Sequence, residues 1–286
     1  MRAFECIPNV SEGRDAAIVD ACARAIESAG VTLAHRTSDA IHNRSVFTFF
    51  GTREQMLEAT LALAGVASER IDLRTHRGAH PRIGALDVLP FVPFADATPQ
   101  DAVELAREAA ARIWQRLRIP SYFYGDAAAG TERRLLARIR AGEFEALGTR
   151  SDAADVGDAP HPRAGAIAVG ARAPLVAFNI ELGTDDIGFA RRIARLLREQ
   201  SGGLRTLRAL AIKLDGGRVQ VSCNVTDPSA TPLHRVVELT RILAARGGVA
   251  IVRTELIGLV PRRVLGDVVS RAFDFEIPTH DPDGAS

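Results

Sequence analysis

The chain has 286 residues, 47% hydrophobic and 25% charged, with a formal net charge of +1. That length suits two packed units, each with a core of its own, and the near-zero charge excludes a general attraction to nucleic acid or to an anionic membrane. Lys213 is the only lysine among 36 basic residues, so an anion site here must be built from arginine, histidine or backbone N–H groups.

In chain order, residues 4–9 read as a short strand and residues 15–28 as a helix with Ile18, Val19, Cys22 and Ile26 at helical spacing, stopped by Gly30. Residues 31–34 and 46–50 are strands around a polar turn, and residues 53–68 a helix. A strand at 85–92 and a helix at 101–117 follow, the helix opened by Thr98-Pro99. Residues 122–124 are a strand and 132–140 a further helix. Residues 148–163 lack apolar periodicity and are the expected break, long enough to be functional or disordered. The second half reads as a strand at 175–182, a helix at 186–198, strands at 207–214 and 219–225 joined by Asp215-Gly-Gly217, a helix at 233–246 and a strand at 249–252. That order, β-α-β-β-α-β, is the ferredoxin-like arrangement, and the first six elements of the N-terminal half repeat it. The expected fold is therefore α+β: two ferredoxin-like sandwiches, residues 1–175 and 176–286, packed around a substrate groove. The Pro- and Asp-rich tail after residue 272 is expected to be mobile.

Cys6, Cys22 and Cys223 have no metal-ligand spacing, and an odd, sparse set fits a reducing compartment. The charged start of the chain lacks the apolar stretch of a signal peptide, and no segment approaches the ~20 apolar residues of a membrane span. A cytoplasmic protein without nucleic-acid or membrane partners is expected.

The densest polar segment is Asp72-Leu-Arg74-Thr-His76-Arg77-Gly78-Ala-His80-Pro81-Arg82-Ile-Gly84. His76 and His80 have the i,i+4 spacing that holds a metal on a helix, but Gly78 and Pro81 disfavour a helix. Three roles fit these residues: a metal site, a solvated basic loop, or a loop that holds an imidazole for proton transfer among arginines that bind carboxylates. Imidazole titrates near neutrality, neighbouring arginines favour its neutral form, and guanidinium forks match carboxylates.

A second cluster, residues 5–15, runs from a strand into a helix start. It is either an anion site on free N–H groups or a cap made by Ser11 or Asp15. Cys6 within it is a candidate nucleophile with nothing visible to lower its pKa. A third cluster, Ser38-Asp39-Ala-Ile-His42-Asn43-Arg44-Ser45, either converges at one sheet end or forms a polar turn. Asn9, Asn43 and Asn224 lie in N-x-S/T sequons. Without secretion they are not glycan acceptors; they offer donors and acceptors to a ligand, or serve turns and strand ends.

These segments resemble the glutamate formimidoyltransferase family. The resemblance rests on Glu5-Cys-Ile-Pro-Asn-Val-Ser-Glu-Gly-Arg-Asp15, His42-Asn-Arg-Ser-Val-Phe-Thr-Phe49 and Arg77-Gly-Ala-His-Pro-Arg-Ile-Gly-Ala-Leu-Asp-Val88. It continues through Gly170-Ala-Arg172, Leu175-Val-Ala-Phe-Asn179, Val219-Gln-Val-Ser-Cys-Asn224 and Glu255-Leu-Ile-Gly-Leu-Val-Pro261. It implies two ferredoxin-like subdomains and transfer of a formimino group from N-formimino-L-glutamate to N5 of tetrahydrofolate, a step of histidine degradation. Tetrahydrofolate is then a co-substrate, and no metal is expected. The family's catalytic histidine falls on His80, as base and then acid. Arg44, Arg77 and Arg82 become candidates to clamp carboxylates, and Asp39 to stabilise the amidine or orient His42. Asn9, Asn43, Gly78, Asn179 and Asn224 are further binding candidates. The family's folate loop falls near residues 150–165, with Asp155, Gly157 and Gly165 as candidate contacts.

That loop departs from the family pattern. Ala154-Asp155-Val156-Gly157-Asp158 stands where relatives commonly carry Pro-Asp-Phe-Gly-Pro, so a flexible, more acidic loop is expected. Ile41 stands where the family usually has Asp. A homodimer is implied, and a stand-alone form without a fused cyclodeaminase domain is expected. Three other functions stay open on the residues: a folate-binding module without turnover, a formylglutamate-dependent formyltransferase, and a metal-dependent hydrolase of an N-substituted glutamate using His42, His76 and His80.

Overall fold

The computed structural model describes residues 2–78, 81–214, 216–260, 264–266 and 268. His80, Asp215 of the expected hairpin turn and the tail after residue 272 lie outside the described residues. The chain divides between Ala173 and Pro174 into two compact units. Each has its own sheet, one of seven strands and one of four, in an α+β arrangement.

The first unit opens with β1 (Arg2–Cys6) and β2 (Asn9–Val10). The single strand expected at 4–9 is interrupted at Ile7-Pro8, because proline has no N–H to give a ladder. The interruption stays within the sheet: Ile7 N donates to Pro90 O at 3.4 Å, and Phe47 N donates to Pro8 O at 3.1 Å. Next come α1 (Ala16–Glu27), β3 (Thr32–Asp39), β4 (Arg44–Gly51), α2 (Arg53–Arg70), β5 (Leu86–Ala95), α3 (Pro99–Leu117) and β6 (Ser121–Gly125). Strong start signals fix the helices. The Asp15 carboxylate accepts from Ala17 N and Ile18 N, while Thr52–Gln55 and Thr98–Asp101 form capping boxes.

The helix expected at 132–140 is instead a 3-10 turn, Glu132–Arg134, followed by two short helices, α4 (Leu136–Ile139) and α5 (Glu143–Ala146). Gly142 and Glu143, at φ +77° and +58°, prevent a continuous helix. A further strand, β7 (Ile167–Ala171), went unread, because only Ile167 and Val169 stand out in a stretch otherwise of alanine and glycine.

β1 and β2 sit side by side in sequence between β4 and β5, and β3 pairs with β4 at one edge, all antiparallel. Beyond β5 the sheet continues in parallel through β7 to β6. Phe4, Phe47, Phe49 and Phe91 are buried with Leu57, Leu63 and Leu105 of the helices in the main core. Residues that alternate with these point to the other face. There Tyr122, Val88 and Ala168 pack with Ile139 and Leu147 in a smaller core under the short helices.

The second unit runs β8 (Val176–Leu182), α6 (Ile187–Leu197), β9 (Leu207–Lys213), β10 (Val219–Val225), α7 (Leu233–Ala245) and β11 (Ile251–Ile257). Its antiparallel sheet has the order β11-β8-β10-β9. Phe178, Ile180, Val221 and Cys223 pack on Ile193, Leu197 and Val236 of the helices. The intervening strand residues face away from that core.

Candidate active site

Three loops of the first unit meet around Asn43, at the β3–β4 turn. Asn43 has φ +48°, a left-handed conformation that asparagine adopts more readily than most residues. Its Oδ1 accepts from Gly13 N at 3.0 Å, and its Nδ2 donates to Arg77 O at 3.0 Å. Its carbonyl lies 3.1 Å from His76 Nε2. One buried amide thus ties the β2–α1 loop, the β3–β4 turn and the basic loop together. Gly78 completes the contact: a Cβ there would lie 2.4 Å from His42 O, so only glycine allows this approach.

The two histidines of these loops that are described are held differently. Arg82 Nε donates to His76 Nδ1 at 3.2 Å. Arginine stays protonated, so Nδ1 is the acceptor and the Nε2–H donates to Asn43 O. Burial first, and then the Arg82 charge, lower the His76 pKa from about 6.5, against the hydrogen bond to Asn43, which raises it. His76 is a neutral imidazole with both nitrogens engaged. His42 sits within the turn, its Nδ1 2.7 Å from Asp39 Oδ2 and its backbone N–H donating to Asp39 Oδ1 at 2.9 Å. Burial acts to raise the Asp39 carboxyl, but these His42 bonds prevail and its pKa is lowered.

The arginines also separate. Arg77 is exposed and donates to His76 O at 2.7 Å. Arg44 stands across the β3–β4 ladder from Asp39. Burial and the neighbouring Arg140 lower its pKa, with Asp87 and Asp39 opposing. Arg82 is 7% exposed. Its NH1 donates to Glu143 at 2.8 Å and Glu145 at 2.9 Å, and its NH2 to Glu145 at 2.8 Å. The chain's own carboxylates therefore occupy its guanidinium. Asn9, opposite Val46 on one side and Val88 on the other, shares the sheet face that Arg44 lies on.

The 154–166 loop is anchored rather than loose. Asp155 Oδ2 accepts from Phe123 N and from Arg133 NH1, both at 2.8 Å, and Asp155 N and Val156 N both donate to Ser121 O. Gly157 backs onto the Trp114 ring and Pro120. Gly165, at φ +70°, forms a bridge with Gly84, and Ala85 N donates to Ala164 O at 2.9 Å. The expected flexibility is overturned because side-chain and backbone bonds replace the stiffness that proline would give.

In the second unit, the register places Asn179 opposite Ser222, and Asn224 opposite Ala177. Both asparagines therefore lie on the sheet face away from α6 and α7. Asp15 caps α1, and the Glu12 carboxylate accepts from Arg14 N and Asp15 N, so the chain's own carboxylates fill this helix start. Cys6 is buried and its thiol pKa is raised well above the ordinary value, chiefly by burial, which argues against nucleophilic use. Among the described residues no group of three or more His, Cys, Asp or Glu could hold a metal ion, and no helix is long and apolar enough to cross a membrane.

Sequence reasoning missed four participants: Asp87, Arg140, Glu143 and Glu145. Asp87 is 2% exposed; its Oδ1 accepts from Ile83 N at 2.7 Å and Gly84 N at 3.3 Å, and its Oδ2 from Arg140 Nε at 3.1 Å. Asp87 lies in a segment already singled out, but the other three are more than fifty residues further along the chain and carry no motif.

The sequence of both units places the chain in the class of formiminotransferases. Residues 3–172 match the formiminotransferase domain, N-terminal subdomain, and residues 177–273 match the formiminotransferase domain. The chain belongs to this family. It is 44% identical to the glutamate formimidoyltransferase of Streptococcus pyogenes serotype M1 over 92% of this chain and 91% of that protein. It is 41% identical to the glutamate formimidoyltransferase of Thermoplasma acidophilum, over 94% and 91%. Identity to the formimidoyltransferase-cyclodeaminase of Gallus gallus is 39%, over 92% of this chain and 51% of that longer protein.

Proposed function

We propose that this protein transfers the formimino group of N-formimino-L-glutamate to N5 of tetrahydrofolate, giving 5-formiminotetrahydrofolate and L-glutamate in histidine degradation. The observation that carries this is family membership across both units. The fold finer than α+β is assigned as a ferredoxin-like sandwich in each unit, extended by β7 and β6 in the first; the strand order β11-β8-β10-β9 supports it. A cytoplasmic homodimer is the proposed working form.

N5 of the folate is a weakly basic amine. It attacks the amidine carbon and becomes cationic. That proton must leave, and the departing glutamate nitrogen must gain one. His80 is assigned both tasks, base and then acid. What supports His80 over His76 is that both ring nitrogens of His76 are already engaged. Arg44 and Arg77 are assigned the carboxylates of the substrates, and Asp39 the orientation of His42. Asn43 and Gly78 shape the loop junction. Asn9 serves the face that carries Arg44, and Asn179 and Asn224 serve the face of the second sheet away from α6 and α7. Asp155, Gly157 and Gly165 form the folate loop. Arg82 holds the basic loop, because its donors already serve Glu143, Glu145 and His76. Holding both substrates in register supplies a large part of the acceleration.

The test is His80→Ala. With folding confirmed by circular dichroism, kcat for formimino transfer should fall by about 10²–10⁴. Unchanged turnover would remove His80 from the chemistry.

A further inference from the structure

Arg82, Ile83 and Gly84 follow His80-Pro81 directly in the sequence. The distant segment 140–145 reaches the Arg82 backbone directly, and the backbone of Ile83 and Gly84 through Asp87. Arg82 O accepts from Phe144 N at 2.9 Å, while the Arg82 guanidinium reaches Glu143 and Glu145. The N–H groups of Ile83 and Gly84 donate to Asp87 Oδ1, and Arg140 holds Asp87 Oδ2 from the other side. His76 fixes Arg82 from the remaining direction through Nε.

We propose that residues 140–145 brace the loop that carries His80, with Arg82, Asp87, Glu143 and Glu145 as positioning residues for the transfer. This rests on the assignment of His80 as proton carrier.

Two observations separate a positioning role from one in stability alone. Glu143 has φ +58° without being glycine, a conformation L side chains rarely adopt. Such outliers persist where the surroundings demand them, and here the residue's carboxylate reaches Arg82. Further, the Glu143 and Glu145 side chains are 42% and 59% exposed. The two carboxylates stay hydrated while they pair, so removing them costs less than removing the buried guanidinium they hold. Their arrangement about a buried guanidinium sets where the loop sits more than whether the chain folds.

The experiment uses the full chain with Glu143→Gly, Glu145→Gln and the double variant. Melting temperature, kcat, KM for both substrates and amide hydrogen exchange at Ile83 and Gly84 are measured. The double variant, assayed well below its own melting temperature, should exchange faster at both amides and lose about 10²-fold in kcat, as ångström-scale misplacement does. Its KM values should stay within about twofold, because the loss falls in the transition state. Parent-like kcat, or a kcat loss that merely follows a drop in melting temperature, would overturn the brace. His80→Ala, run alongside, keeps the two claims apart. If it retains turnover while the double variant loses kcat and protection, the His80 assignment fails and the brace supports another group. If it loses turnover while the double variant keeps kcat, the brace alone fails.

Discussion

His76 carries two lessons at the scale of single residues. Its spacing from His80 suggested a metal pair, yet its ring joins Arg82 to Asn43 as a neutral imidazole. The sequence shows spacing but not what each ring nitrogen meets. The consequence is measurable. Burial lowers the folded-state pKa of His76 below its ordinary value of about 6.5. Above that value both folded and unfolded states hold it neutral. As pH falls below about 6.5 the unfolded state takes up a proton that the folded state refuses, so stability is lost on acidification. Burial and Arg163 lower His161 in the same direction, so the His76 share must be isolated by substitution. His76→Gln, which keeps an acceptor and a donor, should flatten the fall in melting temperature below pH 6.5 relative to the parent. An unchanged slope would mean that His76 is charged when folded. Asn43 shows the opposite case: a sequon asparagine flagged as a ligand group proves to be the amide that joins three loops, through a backbone conformation no motif announces.

At the scale of elements, legibility followed local signals. The second unit was readable because β10 alternates apolar and polar residues and the hairpin turn before it is rich in glycine. In the first unit the capped helices α2 and α3 were also readable. What failed depended on partners distant in sequence: β7 is a strand by virtue of β5 and β6, and the break at residues 142–143 serves Arg82. Of the site, the basic loop, the β3–β4 turn and the β2–α1 loop were each visible, but not that one asparagine and one glycine bring them together. Gly78→Ala tests that junction. Its Cβ would meet His42 O at 2.4 Å, so the basic loop must move off the turn. Gly78 is exposed, so the fold should survive, while kcat/KM should fall by about 10²-fold, as for other ångström-scale displacements. Parent-like activity would show that the loop's approach to the turn is irrelevant to turnover.

At the scale of the whole molecule, the chain is an α+β protein of two units, each with its own sheet and core, and both match the formiminotransferase family. The family resemblance was legible from long, ordered motifs, whereas the extent of the first sheet was not, because β7 joins β5 and β6 joins β7 only through parallel pairing between segments distant in sequence. The departures at residues 154–158 leave the loop anchored to β6 through Asp155. The most direct measurement of the transfer incubates the purified protein with N-formimino-L-glutamate or N-formyl-L-glutamate, each with and without tetrahydrofolate, and follows folate product and free glutamate together. Equal amounts of 5-formiminotetrahydrofolate and glutamate should form, and only when formiminoglutamate and tetrahydrofolate are both present. Glutamate released without folate, or folate product from the formyl donor alone, would contradict it.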